Sequence, residues 1–434
     1  MERQSDYNRL AVDELNQLAR QWEDRYEAYK NRNLKLDMSR GKPCPEQLDL
    51  SADMLTILQP GDSIQAADGS DCRNYGGLDG IPEAKELFAQ MLGVSRNEVI
   101  IGGNSSLNMM HDTISRAMLH GVYGSQSPWG KKEAVKFLCP SPGYDRHFAI
   151  CELFNIEMIA VDMLQDGPDM DAVERLVRED DSIKGIWCVP KYSNPDGITY
   201  ADETVDRLAG MTAKARDFRI IWDDAYTVHH VSDNHDQLKN IFAACKAAGN
   251  PHRVFMYSST SKITLPGSGV AVMATSEENL QTIRKQIAVQ TIGPDKINQL
   301  RHVRFLKNMD QIRLHMDKQA AIINPKFELV LNKLESELGG KNIASWNKPN
   351  GGYFISLNTL DGCAKEVVHL AAQAGVTLTP AGATFPYGND PRDRNIRIAP
   401  TFPSISELET AIDVFCLCVE LVSIKKILAR ELHK

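Results

Sequence analysis

Residues 219–226 read Arg219-Ile220-Ile221-Trp222-Asp223-Asp224-Ala225-Tyr226, an apolar run that stops on two carboxylates and a phenol. A short apolar run closed by charge has the pattern of a strand buried on both faces, the strand of a parallel sheet. Outward from it the same texture recurs. KFLC (136–139), EMIAV (157–161) and GIWCV (185–189) precede it, and VFMY (254–257) and GVAVMA (269–274) follow. Helical periodicity fills the intervals. Strands alternating with helices predict the α/β class, with a large domain built on a mostly parallel sheet flanked by helices. Sheets of this kind bind ligands beyond the carboxyl ends of their strands, so the residues after each run are the candidates for chemistry.

Three runs deliver such residues. GIWCVP leads into Lys191-Tyr192-Ser193-Asn194-Pro195-Asp196-Gly197, the central run into Asp223 and Tyr226, and VFMY into Ser258-Ser259-Thr260-Ser261-Lys262. Asn194 and Asp223 are 29 residues apart, and Asp223 and Lys262 are 39 apart. Each interval has room for a crossover helix between neighbouring parallel strands. Singly, these residues read as a solvated lysine, a cap and an Asn-Pro-Asp-Gly turn. Together they place an amine, a carboxylate, an amide and a phenol on one sheet edge. A partly desolvated lysine amine is a nucleophile toward aldehydes. A carboxylate keeps a pyridine nitrogen protonated and makes the ring an electron sink, while Asn194 and Tyr226 can donate to a ring oxygen. These are the requirements of pyridoxal phosphate. Ile100-Ile101-Gly102-Gly103-Asn104-Ser105-Ser106, running into a helix near Leu107, adds backbone N–H groups and hydroxyls where a helix dipole favours a phosphate.

Composition bounds the rest. The 434 residues are 42% hydrophobic and 24% charged, which fits a folded protein of two or three units and neither a disordered chain nor a rod. Forty-nine basic against 57 acidic residues give a net charge of −8, so no nucleic-acid or membrane partner is expected. The nine cysteines are odd in number, contain no CxxC pair and mostly sit in apolar segments, the usage of buried free thiols in a reducing compartment. With a charged amino-terminal segment and no apolar stretch of the ~18 residues that span a bilayer, the expected location is cytoplasmic.

An amphipathic helix is predicted from Val12 to about Asn31, followed by irregular DMSRGKPCPEQLDLS (37–51). One long helical stretch is predicted over Gln299–Leu338. Beyond it GGYFISL (351–357), VVHLAAQAG (367–375), NIRIA (395–399) and a closing helix from Ser404 make a smaller α+β domain. The expected boundaries are 1–50 for an amino-terminal arm and part of the small domain, 51–315 for the large domain and 316–434 for the small carboxy-terminal domain.

Asn194-Pro195-x-Gly197, Asp223-x-Ala225-Tyr226 and Ser259-x-Ser261-Lys262, in this order, resemble the fold-type-I pyridoxal-phosphate aminotransferases of classes I and II. The likeness continues through Asn74-Tyr75-Gly76 and GLDGIPEAKELF, Pro140-Ser141-Pro142-Gly143-Tyr144 and Asn395-Ile396-Arg397-Ile398-Ala399, and so covers the chain from about Ser39 to Arg397. SRGKP, GGNSSLNMM, PSPGYDRHF and STSKITLPGSGVA are most similar to a bacterial subgroup of aspartate aminotransferases. The resemblance implies transfer of an amino group between L-aspartate or glutamate and a 2-oxo acid such as 2-oxoglutarate, in a ping-pong sequence. It implies that Lys262 forms the Schiff base and moves the proton, that Asp223 pairs with the pyridine nitrogen, and that Asn194 and Tyr226 bond the ring oxygen. Tyr144 would stack on the ring, and Gly103, Asn104, Ser105, Ser106, Ser259 and Ser261 would surround the phosphate. Arg397 would clamp the substrate α-carboxylate in a pocket lined by Gly41 and Asn194. Tyr75 would reach the phosphate of a second subunit, which makes the expected assembly a homodimer with shared sites.

Two positions depart from the family pattern. The arginine usual eight residues after the Schiff-base lysine is here Val270, and the arginine that many relatives lend across the dimer to a distal carboxylate has no counterpart around Gln290–Pro294. Arg40, Lys191 and Arg301 are the candidates by location for the latter role. His229, His230 and His235 follow no zinc spacing, so no metal is expected and these histidines are assigned to a helix or loop surface. The rival readings are a pyridoxal-phosphate β-elimination or carbon–sulfur lyase on the same fold, and a non-catalytic cofactor-binding sensor of a transcription regulator. The sensor is disfavoured because the roughly 40 residues before SRGKP read as one helix in an acidic chain, not as a DNA-binding arm.

Overall fold

Five of the apolar runs pair in parallel. In the computed structural model, which describes residues 6–431, an eight-stranded sheet has the order Val99–Ile101, Ala271–Ala274, Val254–Ser259, Arg219–Asp223, Ile183–Cys188, Lys136–Ser141, Glu157–Leu164, Gly167–Pro168. The strands from Val254–Ser259 to Glu157–Leu164 are parallel, and antiparallel strands border them on both sides. Alternate side chains of each strand enter different apolar clusters. Ile220 and Trp222 join Ile186, Cys188, Val254 and Met256 on one face, whereas Ile221 joins Trp187, Phe255 and Tyr257 on the other. The register aligns Cys188 with Trp222 and Asp223 with Tyr257, so the chemistry-bearing segments leave the sheet at the same edge.

The second unit contains an antiparallel sheet, Ala344–Trp346, Ile355–Thr359 and Asn395–Ile398, and a short parallel pair, Leu36–Asp37 with Val376–Thr377. Its centre is the closing helix Ile405–Glu431, which is apolar all round from Val414 to Leu421 apart from Glu420 and is accordingly buried. Glu420 is satisfied on both oxygens, by the Tyr7 hydroxyl at 2.6 Å and Lys341 Nζ at 2.8 Å. The opening helix Val12–Lys30 packs on this closing helix rather than standing apart as a DNA-binding arm.

The stretch read as one helix over Gln299–Leu338 is two, Lys296–Leu306 and Met309–Leu338. Lys307 adopts φ 56° and ψ −61°, and the Asn308 N–H bonds the Leu306 carbonyl at 2.6 Å, which is a γ-turn. No glycine or proline marks this break; the signal is Asn308, whose side chain caps the second helix at Gln311 N. That second helix runs from one apolar cluster to the other, with Ile312 and Met316 in the sheet's core and Ile323, Phe327 and Val330 in the second unit's. GGYFISL likewise forms a strand only from Ile355, because Gly351 and Gly352 turn tightly against Tyr192.

At the amino-terminal edge of the sheet Asp217 collects Lys184 Nζ at 2.8 Å, and Ser125 Oγ and Trp129 Nε1 at 3.0 Å each. The Lys184–Asp217 pair is more than nine-tenths buried. Burial pushes the Asp217 carboxyl up, but Lys184 and the two further donors outweigh it and hold the group below the ordinary carboxylate range. We expect Asp217→Ala to cost about 3–5 kcal/mol at neutral pH, because it strands a buried ammonium, with a lower urea midpoint as the readout. A depressed folded-state pKa stabilises above the unfolded value and loses that contribution as pH falls through the folded one. The wild-type and variant stability curves should therefore converge below about pH 4.

Candidate active site

Between the carboxyl edge of the sheet and the second unit lies a cleft of about 670 Å³. Gly41, Ser105, Ser106, Tyr144, Asn194, Asp223, Tyr226, Ser259, Ser261, Lys262 and Arg397 all line it. The predicted site residues are thus brought together from both units, except for three. Gly103 and Asn104 lie outside the lining. Their carbonyls take the Ala271 N–H at 2.8 Å and the Ser261 hydroxyl at 3.4 Å, so they shape the turn that presents Ser105 and Ser106. Tyr75 is 84% exposed, on a loop whose Asn74 and Gly76 carbonyls are held by Lys296 Nζ at 2.7 and 2.6 Å.

Asp223 ends its strand and is buried. One carboxylate oxygen lies 3.1 Å from His147 Nε2; the other is buried without a partner. His147 is fixed by stacking on Trp187, with ring centroids 4.3 Å apart and planes inclined by 10°, and its ring meets Tyr144 edge-on. Sequence reading quoted His147 within PSPGYDRHF without giving it a role. Its signal was a histidine three positions beyond Tyr144, one helical turn on.

Lys262 follows the strand Val254–Ser259 and sets its amine 5.1 Å from the Tyr226 ring centre and 5.7 Å from that of Tyr353. Burial pushes its pKa down, opposed by Asp223, so the amine is more readily deprotonated than a surface lysine. Burial, with Asp223 adding to it, pushes the Tyr144 phenol up to about 12, and burial raises Tyr226 well above its ordinary value. Both phenols are therefore protonated donors near neutral pH. Ser105 is the N-cap of Ser106–His120, yet its hydroxyl makes no capping bond, and the Ser259 and Ser261 hydroxyls face one another at 3.0 Å. The result is a hydroxyl-lined helix amino terminus opening into the cleft.

Arg397 comes from the second unit. Its Nη1 donates to Asn194 Oδ1 and Asp145 Oδ1 at 3.1 Å each, its Nε and Nη2 donate to Thr379 Oγ1 at 3.3 and 3.2 Å, and its guanidinium lies 4.8 Å from the Phe354 ring centre.

These groups fit pyridoxal phosphate on observations internal to the chain. An orphaned carboxylate oxygen suits a ring N–H, a desolvated amine suits an aldehyde, and free hydroxyls at a helix amino terminus suit a phosphate. The aspartate amino-transferase family model matches residues 10–431. The chain belongs to the aspartate aminotransferase family. It is 46% identical to an aspartate aminotransferase of Corynebacterium glutamicum, over 92% of each chain. It is 48% identical to a putative aminotransferase of Mycolicibacterium smegmatis, over 93% of this chain and 94% of that one. The crystal structure of an aspartate transaminase from C. glutamicum superposes with a TM-score of 0.95 at 44% identity, covering 97% of this chain and 99% of that one. Aminotransferases of this family use pyridoxal phosphate, and the enzyme reading replaces that of a non-catalytic sensor.

Several expectations need correction. Lys191 does not line the cleft, since its ammonium is buried against the Thr227 carbonyl at 3.0 Å; Arg301 does not either, being tied to Asn298 Oδ1 at 2.7 Å. Arg40 does line it. His229 is not on a surface: it is 3% exposed, and burial pushes its pKa down to about 3. His230 is half-buried, stacked on His235 at 3.8 Å and bonded to the Tyr192 hydroxyl at 2.6 Å. No metal-binding group of His, Cys, Asp or Glu occurs among the described residues. Val270 is 1% exposed and belongs to the sheet's apolar core.

Gly41 bears directly on the arginine. A Cβ there would stand 2.4 Å from Phe354 Cζ, and Phe354 is packed under Arg397. Gly41→Ala should displace the ring and the guanidinium, raising the KM of every amino-acid substrate by roughly tenfold or more while visible cofactor absorbance stays near wild type. Steady-state kinetics beside an absorption spectrum checks both parts.

Proposed function

We propose that the protein transaminates dicarboxylic amino acids, moving the amino group of L-aspartate or L-glutamate to a 2-oxo acid such as 2-oxoglutarate. The observation that carries transamination is Arg397, a guanidinium fork oriented by Thr379 and Asn194, in one cleft with Lys262 and the half-satisfied Asp223, and the 46% identity to an aspartate aminotransferase supports a dicarboxylic donor. Pyridoxal phosphate, when bound, supplies an electron sink for the pair released as the α C–H bond breaks and a carrier for the amine. The remaining work falls to the chain. Asp223 Oδ1 would accept a ring N–H, while His147 fixes the other oxygen. Lys262 Nζ, with its lowered pKa, takes up the α proton and redelivers it. Arg397 would hold the α-carboxylate, and Asn194, Tyr226 and Tyr144 would hold the cofactor ring, the first two as donors to its oxygen. Ser105, Ser106, Ser259 and Ser261 would bond the phosphate, with Gly103 and Asn104 shaping the turn. The same groups bind the second substrate after the first product leaves, which gives ping-pong kinetics.

Tyr75 is read as a contribution to a second copy's site. It is exposed beside Val289 and Ile292, which are 91% and 62% exposed, and Gly293 packs on Gly76 so that both loops share one face. A homodimer would cover that face. Nine buried free cysteines support a reducing, cytoplasmic location, and among the described residues no helix is long and apolar enough to cross a membrane.

Holo-protein mixed with L-aspartate, without any oxo acid, should lose its visible absorbance and release one equivalent of oxaloacetate, identified by NMR. Pyruvate with ammonia would instead mark β-elimination, and an unchanged spectrum would refute aspartate as donor. Lys262→Ala should lose more than about 10³-fold in turnover, since it removes nucleophile and proton carrier together.

A further inference from the structure

The family's cross-subunit arginine for a distal carboxylate is missing, and the cleft offers a replacement from its own chain. Besides Lys262 and Arg397, the cations that line it are Arg40, Lys42 and Arg146. Lys42 sits on the Phe402 ring, 3.7 Å from its centre, and Arg397 is the group assigned to the α-carboxylate.

Arg146 is placed differently. It is the second residue of the helix Asp145–Leu153, where the positive end of the helix dipole makes a guanidinium unfavourable. The carboxylate beside it in sequence, Asp145, is turned to Arg397 at 3.1 Å. Arg146 itself is exposed at the cleft, with no hydrogen bond or ion pair among the described residues. A cation at the wrong end of a helix, lining a ligand cleft and left unpaired by its neighbour, violates a local rule without structural compensation, which is the mark of a functional position. Arg146 and Arg397 line the same cleft as Tyr144, and both lower the Tyr144 phenol's pKa against the larger upward push of its burial.

We infer that Arg146 binds the side-chain carboxylate of a dicarboxylic substrate whose α-carboxylate is held by Arg397, and so sets the enzyme's substrate class within one subunit. The inference rests on the transaminase reading above. Charge supports it. Asp145 already offsets Arg397, so a substrate bringing two carboxylates and one ammonium needs one more cation than that pair provides. Lys191 and Arg301 are committed elsewhere, which leaves Arg40 as the rival.

The test compares L-aspartate with L-2-aminobutyrate, which matches it in chain length and lacks the distal carboxylate, on holoenzyme carrying Arg146→Gln, Arg146→Lys or Arg40→Gln. In Arg146→Gln the ratio of the two kcat/KM values should fall about 10- to 100-fold, the loss expected for one charge-assisted pair. Arg146→Lys should recover part of it. Succinate, an unreactive dicarboxylate, should bind Arg146→Gln more weakly by a similar factor in calorimetry, a readout independent of turnover. An unchanged ratio and unchanged succinate affinity in Arg146→Gln, or the same loss appearing in Arg40→Gln instead, overturns the assignment. If wild-type enzyme transaminates both amino acids equally well, the dicarboxylate reading itself fails. If wild type prefers L-aspartate and Arg146→Gln keeps that preference, only the assignment to Arg146 fails.

Discussion

Asp223 is buried with an imidazole on one carboxylate oxygen and nothing on the other. A buried charge with an unmet hydrogen-bonding oxygen costs several kcal/mol, and a free chain would avoid it by turning the group to water. The fold prevents that. Arg219–Asp223 is paired on both sides, by Ile183–Cys188 and Val254–Ser259, so the end of the strand cannot rotate outward. His147 cannot move to cover the second oxygen because its ring is stacked on Trp187, itself locked in the sheet's core. The half-satisfied state is enforced by packing that has nothing to do with the carboxylate, and a ring N–H of the cofactor would complete it. Lys262 depends on the same enclosure. The burial that leaves Asp223 short of a partner also lowers the lysine pKa.

The second constraint is that the carboxylate-binding group comes from the other unit. Arg397 lies on Asn395–Ile398, yet two of its donors reach Asn194 and Asp145 beyond the sheet edge. The helix Met309–Leu338 enters both apolar cores and ties the strand carrying Arg397 to the sheet carrying Lys262. Arg397 and Lys262 are held in register by that helix and by two hydrogen bonds.

What was legible in the sequence follows from this arrangement. Lys262, Asp223 and Asn194 could be read because each follows its own strand, and strand ends in a parallel sheet fall on one edge by topology alone. Arg397 was reached by resemblance, since nothing local to an NIRIA strand says that its third residue crosses to another unit. His147, Thr379 and Arg146 went unread because their roles exist only in tertiary contact: a stack on Trp187, a hydroxyl under a guanidinium, a charge left without its neighbour. The break at Lys307 carries no glycine or proline, and His229 looked like surface because polar residues surround it in sequence, though the Gly351–Tyr353 segment buries it.

Val270 shows how a departure from a family pattern can be structural rather than a defect. Its side chain lies in the apolar cluster with Val272 and Ile101, and its backbone bonds Thr260 in both directions, with Val270 N to Thr260 Oγ1 and Thr260 N to Val270 O each 2.9 Å. The valine side chain fills an apolar site there, 1% exposed, and leaves the position no charge to offer the cleft. The phosphate end of the cleft is instead lined by neutral donors, the hydroxyls of Ser105, Ser106, Ser259 and Ser261 and the first amides of Ser106–His120. Dipoles fixed by a helix and a strand end need no counter-ion and no desolvated cation. The cations that line the cleft besides Lys262 and Lys42 are Arg397, Arg40 and Arg146, which on the proposed reading would meet the substrate carboxylates.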